Sequence, residues 1–275
     1  MKATIQDQPR QRKEAIQKVN ELVSLLREER CGKVDLKKPS DVLRLLFENV
    51  NSIGVFSTGK AKLQKLDQMR YLIKKYDIDI AAFAETQVDW RKVTQESSLF
   101  GNLFTRPGED RRSVVAHNTT TETLETERCQ RGGTAMLTRG MMCASVKEVD
   151  ADKTKLGRFC WTKVGGASKM TYIMTVYMPH NREKYDTKKL TVWDQHKIHY
   201  ESKGQMEKEP CHALFEDVFD KLLQWKTEDC EIILTGDFNQ DVYRDRFARR
   251  LAEDDINMTE QVLKTTGKEI PPTHE

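Results

Sequence analysis

The segment that most constrains the fold is residues 231–241, Glu-Ile-Ile-Leu-Thr-Gly-Asp-Phe-Asn-Gln-Asp. Its apolar run at residues 232–234 is too short for a helix and rich in β-branched side chains, so it predicts a strand buried on both faces. Gly236 breaks the pattern. Asp237 and Asn239 follow at a spacing that puts both side chains on one side of an extended backbone. A carboxylate and a carboxamide at the end of a buried strand can hold a hard cation or a phosphate oxygen.

The sequence Gly-Asp-Phe-Asn is also typical of an ordinary turn, because Gly, Asn and Asp are the usual turn residues. A motif of four residues is too short to distinguish a turn from a ligand site, since short motifs often occur by chance. The distinction depends on what accompanies the motif elsewhere in the chain.

Two further strand ends carry polar residues. Residues 42–48 predict a strand that ends at Asn49, residues 60–76 predict a helix, and residues 77–84 predict a buried strand that ends at Glu85. Ligands of parallel α/β sheets bind outside the carboxyl ends of the strands. Taken singly, Asn49 could be a turn residue and Glu85 could cap the next helix. Taken together, we expect them at the edge that also holds the carboxylate and carboxamide of the first segment.

The remaining elements are predicted from the same signals. Residues 100–118 are rich in charged side chains and predict an excursion on the surface, and a Gly-Gly pair leads into an apolar segment at residues 134–137. Further strands are predicted at residues 143–149, 159–164 and 170–177, and helices at residues 192–200, 211–225 and 242–253.

The N-terminal region differs in composition from the rest. Residues 11–30 predict an amphipathic helix and residues 33–41 a linker, so we divide the chain into an arm of residues 1–40 and a domain of residues 41–275. The arm holds ten Lys or Arg against six Asp or Glu, a balance of +4, whereas the whole chain is only +3. This arm could bind a nucleic acid or protein partner, or simply pack on the domain.

Composition argues against several classes of protein. With 37% hydrophobic and 32% charged residues, the chain has no run of roughly 18 apolar residues and no apolar signal segment at its start, so we expect no membrane span and a cytoplasmic or nuclear location. The six cysteines are scattered without a Cys-x-x-Cys pair, which argues against structural zinc and a disulfide framework.

Two other clusters could bind a ligand. His196 and His199 lie three residues apart on a predicted helix, but nothing near them in sequence supplies the further ligands of a structural zinc site, so we expect a solvated helix face. The arginines of the helix at residues 242–253 could contact phosphates, but arginines mixed with acids on a surface helix are usually solvated.

Five short motifs occur in order: Phe-Glu-Asn-Val-Asn at residues 47–51, Ala-Glu-Thr-Gln at 84–87, Thr-Val-Tyr-Met-Pro at 175–179, Gly-Asp-Phe-Asn at 236–239 and Pro-Pro-Thr-His at 271–274. Together they resemble the endonuclease/exonuclease/phosphatase superfamily, which includes apurinic-site nucleases and the endonuclease domains of non-LTR retrotransposons. The resemblance spans about residues 41–275. Thr-Val-Trp-Asp-Gln at residues 191–195 and the terminal Pro-Pro-Thr-His are similar to the retroelement branch.

The resemblance implies a two-sheet α/β sandwich with helices on its outer faces, four layers in all. It also implies a metal-dependent phosphodiesterase, most similar to a DNA endonuclease of retroelement type. Glu85, helped by Asn49, would bind Mg²⁺ or Mn²⁺, an oxygen ligand set that suits a hard cation.

The same resemblance implies roles for four other residues. Asp237 would orient or deprotonate the attacking water, and Asn239 would donate to a phosphate oxygen. Tyr177 would lie beside the leaving group or phosphate, although it could also be a core tyrosine. Thr273 would support the phosphate or the catalytic network.

The chain also departs from the superfamily pattern. It ends at Glu275 without the final Asp strand and the Ser-Asp-His, so we expect missing terminal strands, an unpaired sheet edge and impaired activity. His274 belongs to the Pro-Pro-Thr-His motif and does not replace the absent histidine. His180 stands where the superfamily often has Asn, which leaves substrate contacts there open.

Two alternatives remain at this point. The chain could be an inactive fragment that binds nucleic acid or protein, or it could be a phosphodiesterase or phosphatase that acts on RNA or lipid head groups, because this fold serves several substrates. The sequence does not indicate an oligomeric state.

Overall fold

The structure, a computed structural model, describes residues 37–53, 60–88, 104–105, 108–119, 130–166, 169–180, 191–240, 245–253, 255–261 and 264. Contacts divide the chain into two units, Lys38–Met258 and a unit made of Met1–Lys37 with Thr259–Glu275. The predicted arm helix, Thr273 and His274 lie outside the described residues, and the proposed boundary at residue 40 stays a prediction. The description below concerns the first unit.

The first sheet contains the predicted β-α-β unit. Its two strands, β1 (Leu45–Asn49) and β2 (Ile80–Ala84), pair in parallel and are connected through helix α1 (Lys60–Lys75). Strands β3 (Arg111–Ala116) and β4 (Thr134–Arg139) complete the strand order β1-β2-β4-β3, with β4 antiparallel to both of its neighbours. A parallel pair aligns its carboxyl ends, so the ends of β1 and β2 lie side by side.

The prediction of a surface excursion at residues 100–118 is wrong, because this segment contains β3. Val114 and Ala116 are buried in the sandwich, whereas Arg112 is exposed. The two arginines that open the strand concealed its period-2 pattern. The strand predicted from residue 143 also begins later, since Gly140–Ser145 forms a 3₁₀ helix and β5 starts at Val146.

The second sheet has the order β5-β6-β7-β8. Its strands are β5 (Val146–Ala151), β6 (Phe159–Gly165), β7 (Met170–Tyr177) and β8 (Cys230–Asp237). β6 is antiparallel to β5 and β7, whereas β8 is parallel to β7 and pairs Tyr177 with Asp237. Helices α2 (Val192–Ser202) and α3 (Pro210–Lys226) lie in the crossover from β7 to β8, and α4 (Arg246–Ala252) follows β8.

Three apolar layers hold the four layers of backbone together. One lies between α1 and the first sheet, a second between the two sheets, and a third between the second sheet and α3. Strand alternation separates them: Phe47 packs between the sheets, while its neighbour Leu46 packs towards α1. The prediction of a two-sheet α/β sandwich with outer helices is confirmed.

The strand that opened the sequence analysis lies at one side of its sheet. Ile233 packs between the sheets, and Ile232 and Leu234 pack towards α3, so both faces are covered as predicted. These side chains are nevertheless only partly buried, because β7 is the sole partner of β8 among the described strands. No described helix is long and apolar enough to cross a bilayer.

The prediction of a solvated face for His196 and His199 is also wrong, since they are only 1% and 7% exposed. Their face of α2 packs against the segment before β6, where the fully buried Arg158 donates to Asp152 through Nε at 2.8 Å and Nη2 at 2.9 Å. Burial, followed by the positive charge of Arg158, lowers the pKa of His196 to about 3. The imidazole is therefore neutral at physiological pH and belongs to the packed interior.

Candidate active site

The two sheets meet at the ends of β1 and β8. Asn49, the last residue of β1, donates from Nδ2 to Asp237 Oδ2 at 2.5 Å, and Asp237 is the last residue of β8. Side chains two residues apart in a strand point to the same face of the sheet. Phe47 and Ile233 pack between the sheets, so Asn49 and Asp237, which lie two and four residues further along their strands, point to the same side. The inter-sheet layer thus ends in a polar pair at this edge.

The loop after β1 fixes the Asn49 carboxamide. Its Oδ1 accepts from the Asn51 backbone N–H at 3.0 Å, and Gln87 Nε2 donates to Asn51 Oδ1 at 3.0 Å. Asn51 has a positive φ of 35°, which Asn tolerates better than most residues. The loops that follow β1 and β2 are therefore tied to each other next to the polar pair.

Asn239 lies beside Asp237, but for a different reason from the one predicted. The backbone does not stay extended, because Asn239 has a φ of 46° in the left-handed region. Its backbone N–H donates to Asp237 Oδ1 at 3.1 Å, and its Nδ2 donates to the Met178 carbonyl at 2.7 Å. A carboxamide nitrogen carries two hydrogens, so the second one remains available to a ligand.

Glu85 follows the last residue of β2 in a strained conformation. Its φ is 53°, and a non-glycine residue in the left-handed region costs on the order of 1–3 kcal/mol. The surrounding backbone enforces this, because the Ser52 N–H donates to the Glu85 carbonyl at 2.7 Å and Thr86 N–H to Gly133 at 3.2 Å. The carboxylate is half-buried and makes no hydrogen bond or ion pair with any described residue, which leaves its oxygens open to a cation.

Tyr177 ends β7 next to Asp237 and is 7% exposed. Its ring lies against Gly132, where an added Cβ would be 3.3 Å from Tyr177 Cε1. Gly132 and Gly133 have φ values of 73° and 88°, and their carbonyls accept from Gln87 and Thr86. The sequence indicated this glycine pair only as the lead into the apolar segment at residues 134–137. A Gly-Gly pair signals a turn, and the structure places that turn against Tyr177.

The structure thus joins Asn49, Asp237 and Asn239 through hydrogen bonds and places Tyr177 beside Asp237 in strand register. Glu85 belongs to the same edge through the pairing of β1 and β2. Thr273 lies outside the described residues.

The donor set can be tested against the metal that the resemblance implies. The described residues contain no group of three His, Cys, Asp or Glu side chains that could hold a metal ion. Mg²⁺ binds through one or two carboxylates and keeps several waters, so it does not require such a group. The Glu85 carboxylate and the second lone pair of Asn49 Oδ1 fit this kind of site.

The retroelement-like sequence at residues 191–195 has a structural explanation. Thr191 caps α2, since its Oγ1 accepts from the Asp194 N–H at 3.2 Å while Asp194 Oδ2 accepts from the Thr191 N–H at 2.9 Å. Gln195 is buried and accepts from Asn118 Nδ2 at 3.1 Å. Trp193, between them, is only partly buried and lines a pocket that Asn239 also lines.

No protein-family model matches the chain, and no curated protein sequence matches it. Solved structures do. The human Nocturnin catalytic domain with bound sulfate is 16% identical with a TM-score of 0.50, over 84% of this chain and 77% of that one. A 3′ phosphatase from Neisseria bound to product DNA hairpin is 18% identical with a TM-score of 0.41, over 73% and 60%. An AP endonuclease from Archaeoglobus fulgidus is 17% identical with a TM-score of 0.41, over 81% and 69%.

At this level of identity, the similarity to Nocturnin concerns the fold. The described chain therefore shares the fold of that catalytic domain, a two-sheet α/β sandwich, which is the fold that the sequence motifs implied.

Proposed function

We propose that this chain is a metal-dependent phosphodiesterase that cleaves DNA at the edge formed by the ends of β1, β2, β7 and β8. The contact between Asn49 and Asp237 carries the proposal, because it brings a carboxylate from one sheet to the strand end of the other. The Glu85 carboxylate, which has no hydrogen-bond or ion-pair partner among the described residues, follows the end of the neighbouring strand β2 and supports the proposal, since such a group at a strand end is suited to a cation.

Glu85, with Asn49, would hold Mg²⁺ or Mn²⁺, which when bound would polarise the scissile phosphate and neutralise the charge that develops on it. The protein groups have separate tasks. Asp237, held at both oxygens by Asn49 Nδ2 and the Asn239 N–H, would orient the attacking water and accept its proton. A carboxylate fixed in this way does not have to be immobilised when the substrate binds.

Two neighbours of Asp237 would complete the site. The second Nδ2 hydrogen of Asn239 would donate to a phosphate oxygen, while the first stays on the Met178 carbonyl. Tyr177, packed against Gly132, would limit how closely the substrate approaches the second sheet. The role of Thr273 and the retroelement type rest on the sequence motifs alone.

The proposal is tested by Mg²⁺-dependent nicking of supercoiled plasmid, with an RNA oligonucleotide as a second substrate. Asp237→Ala should reduce DNA nicking by about 10²–10⁴-fold, the usual contribution of a positioned base. Asp229→Ala is the matched control, because Asp229 is exposed and lies at the other end of β8. Nicking that survives Asp237→Ala, or its complete absence in the unaltered chain, would overturn the proposed activity.

A further inference from the structure

Helix α1 differs in charge from the helices that accompany the second sheet. Its sequence holds six Lys or Arg against one Asp, whereas α2 and α3 together hold three Lys against five Asp or Glu. A polyanion is therefore attracted to the α1 side of the domain rather than to the side of α2 and α3.

One face of the last two turns of α1 carries four exposed side chains: Arg70, Tyr71, Lys74 and Lys75. Their spacing of three and four residues makes them neighbours, and together they form the α1 surface. Arg70 pairs with Asp67 at 3.0 Å, whereas Lys74 and Lys75 have no ion-pair partner among the described residues. The charge of these two lysines is therefore available to an anion.

The acidic residues that follow α1 interact with other cations. Asp77 lies 3.8 Å from both Lys38 and Arg139, and Lys38 also pairs with Asp79 at 2.5 Å. These carboxylates are thus shared with cations outside α1, and the positive charge of the α1 surface is not cancelled by them.

Tyr71 adds an aromatic ring to this charge. It is 59% exposed, more than any other described Phe, Tyr or Trp side chain. The Lys75 ammonium group lies over the ring at 5.5 Å from its centroid, and at 5.1 Å from that of Tyr76, which restrains the position of the lysine. An exposed ring flanked by cations combines the two elements of sequence-independent single-strand binding, because a base stacks on the ring while the cations follow the backbone.

We propose that the α1 surface binds a single-stranded segment of DNA. The choice of DNA rests on the function proposed above, but the contact is separate from cleavage. Bases that are stacked in a duplex do not present a face to a side chain, so the ring favours a single strand.

The α1 surface lies away from the catalytic edge. The helix ends just before β2 begins at Ile80, and Glu85 follows the other end of β2. An extended strand rises about 3.3 Å per residue, so the two ends of β2 are roughly 17 Å apart. At about 3.4 Å per nucleotide, DNA bound at the α1 surface lies on the order of five nucleotides from the cleaved phosphate. The surface would therefore hold a flank of the substrate.

The first test measures binding of a fluorescein-labelled oligothymidylate by anisotropy, with EDTA present so that no metal contributes. Tyr71→Ala should weaken binding about 5- to 150-fold, the range for the loss of one stacked base, whereas Tyr71→Phe should bind like the unaltered chain. A blunt duplex should bind more weakly, and its affinity should not depend on Tyr71. Duplex binding that falls equally in Tyr71→Ala would contradict the preference for a single strand.

The second test concerns the two lysines. Combining Lys74→Ala with Lys75→Ala should lower the slope of log affinity against log salt concentration by about 1.4, because each phosphate contact to a single strand contributes about 0.7. Lys203→Ala combined with Lys226→Ala is the matched control, since these exposed lysines lie at the ends of α2 and α3 and their loss changes the net charge equally. The control should keep both the affinity and the slope, and circular dichroism checks that all variants are folded.

Binding by Asp237→Ala separates this inference from the proposed function. This variant should keep its affinity for oligothymidylate, and a loss as large as that of Tyr71→Ala would place the strand at the catalytic edge and overturn the inference. If the unaltered chain does not bind, or if the α1 variants bind as tightly as the control, the inference is wrong even where nicking depends on Asp237. If the α1 variants lose binding as expected but the unaltered chain does not nick plasmid, the α1 surface binds a single strand and the proposed catalysis fails.

Discussion

Asn49 and Asp237 are 188 positions apart in the sequence, yet Asn49 Nδ2 donates to Asp237 Oδ2 at 2.5 Å. Each is the last residue of a strand, and the strands belong to different sheets. The proposed site therefore exists only when the two sheets are packed on each other in the correct register, so its geometry should respond to changes in that packing.

A double-mutant cycle should measure this link. We expect a coupling free energy between the two side chains of about 1–3 kcal/mol, obtained from the unfolding free energies of Asn49→Ala, Asp237→Ala and the double variant. This is the range for a hydrogen bond to a charged group in a part-buried site. Urea denaturation followed by circular dichroism provides the values. The pair Lys153 and Asp150, 76% and 27% exposed, is the control and should couple by no more than about 1 kcal/mol. Additive effects for Asn49 and Asp237 would contradict a direct contact.

Metal binding should depend mainly on Glu85. Glu85→Gln removes the open carboxylate charge and should weaken Mg²⁺ or Mn²⁺ binding more than Asn239→Ala, because Asn239 is bonded to Asp237 and Met178 instead. Isothermal titration calorimetry compares the two variants with the unaltered chain. Equal losses in both variants would argue against Glu85 as the principal ligand.

Gly132→Ala should disturb Tyr177. The added methyl group would lie 3.3 Å from the tyrosine ring, in a residue whose φ is 73°. Gly204→Ala is a matched control, because Gly204 has a φ of 75° and nothing within 4 Å of the added group. Both variants should lose about 1 kcal/mol of stability from the backbone. Only Gly132→Ala should also lose nicking activity, and equal activity in the two variants would show that the Tyr177 position is unimportant.

The buried ion pair should contribute far more than a surface pair. Asp152→Ala leaves the fully buried Arg158 with the 37% exposed Asp217 as its one charged partner among the described residues, and should cost about 3–5 kcal/mol of unfolding free energy. Asp150→Ala, in the exposed pair with Lys153, should cost less than about 1 kcal/mol. Thermal and urea unfolding of the two variants provide the comparison, and similar losses would contradict the assigned importance of Arg158.

The same pair should make stability depend on acid pH. Burial raises the pKa of Asp152, but the hydrogen bonds and charge of Arg158 outweigh it and hold the pKa of that carboxyl below its ordinary value. The unfolded chain therefore binds the proton first, so the contribution is complete above about pH 4 and is lost as the pH falls through the lower folded pKa. Unfolding free energies measured from pH 7 to pH 3 should fall less steeply in Asp152→Asn. An identical slope would exclude Asp152 as a source of the acid sensitivity.

Much of the fold is encoded locally. The strand–helix–strand order from β1 to β2, strands β6 to β8 and helices α2 and α3 follow from the period of the apolar residues, which a short segment determines by itself. The polar residues at the strand ends could also be predicted, because the position at which a strand ends depends on its own sequence. Strand β3 was missed since its first two residues are arginines, and only pairing with β4 shows it to be a strand.

The sequence by itself thus determined most of the elements, the fold class and the candidate residues Asn49, Glu85 and Asp237. Only the tertiary structure decided which surfaces are buried and which strand ends meet. The face of α2 that carries His196 is buried because it packs against Arg158, which belongs to a distant segment. Asn49 reaches Asp237 because each lies on the face of its strand that points towards the other sheet. The alignment of the two sheets depends on side chains throughout the interior. A local pattern specifies the period of an element, whereas its neighbours in space are fixed by long-range packing.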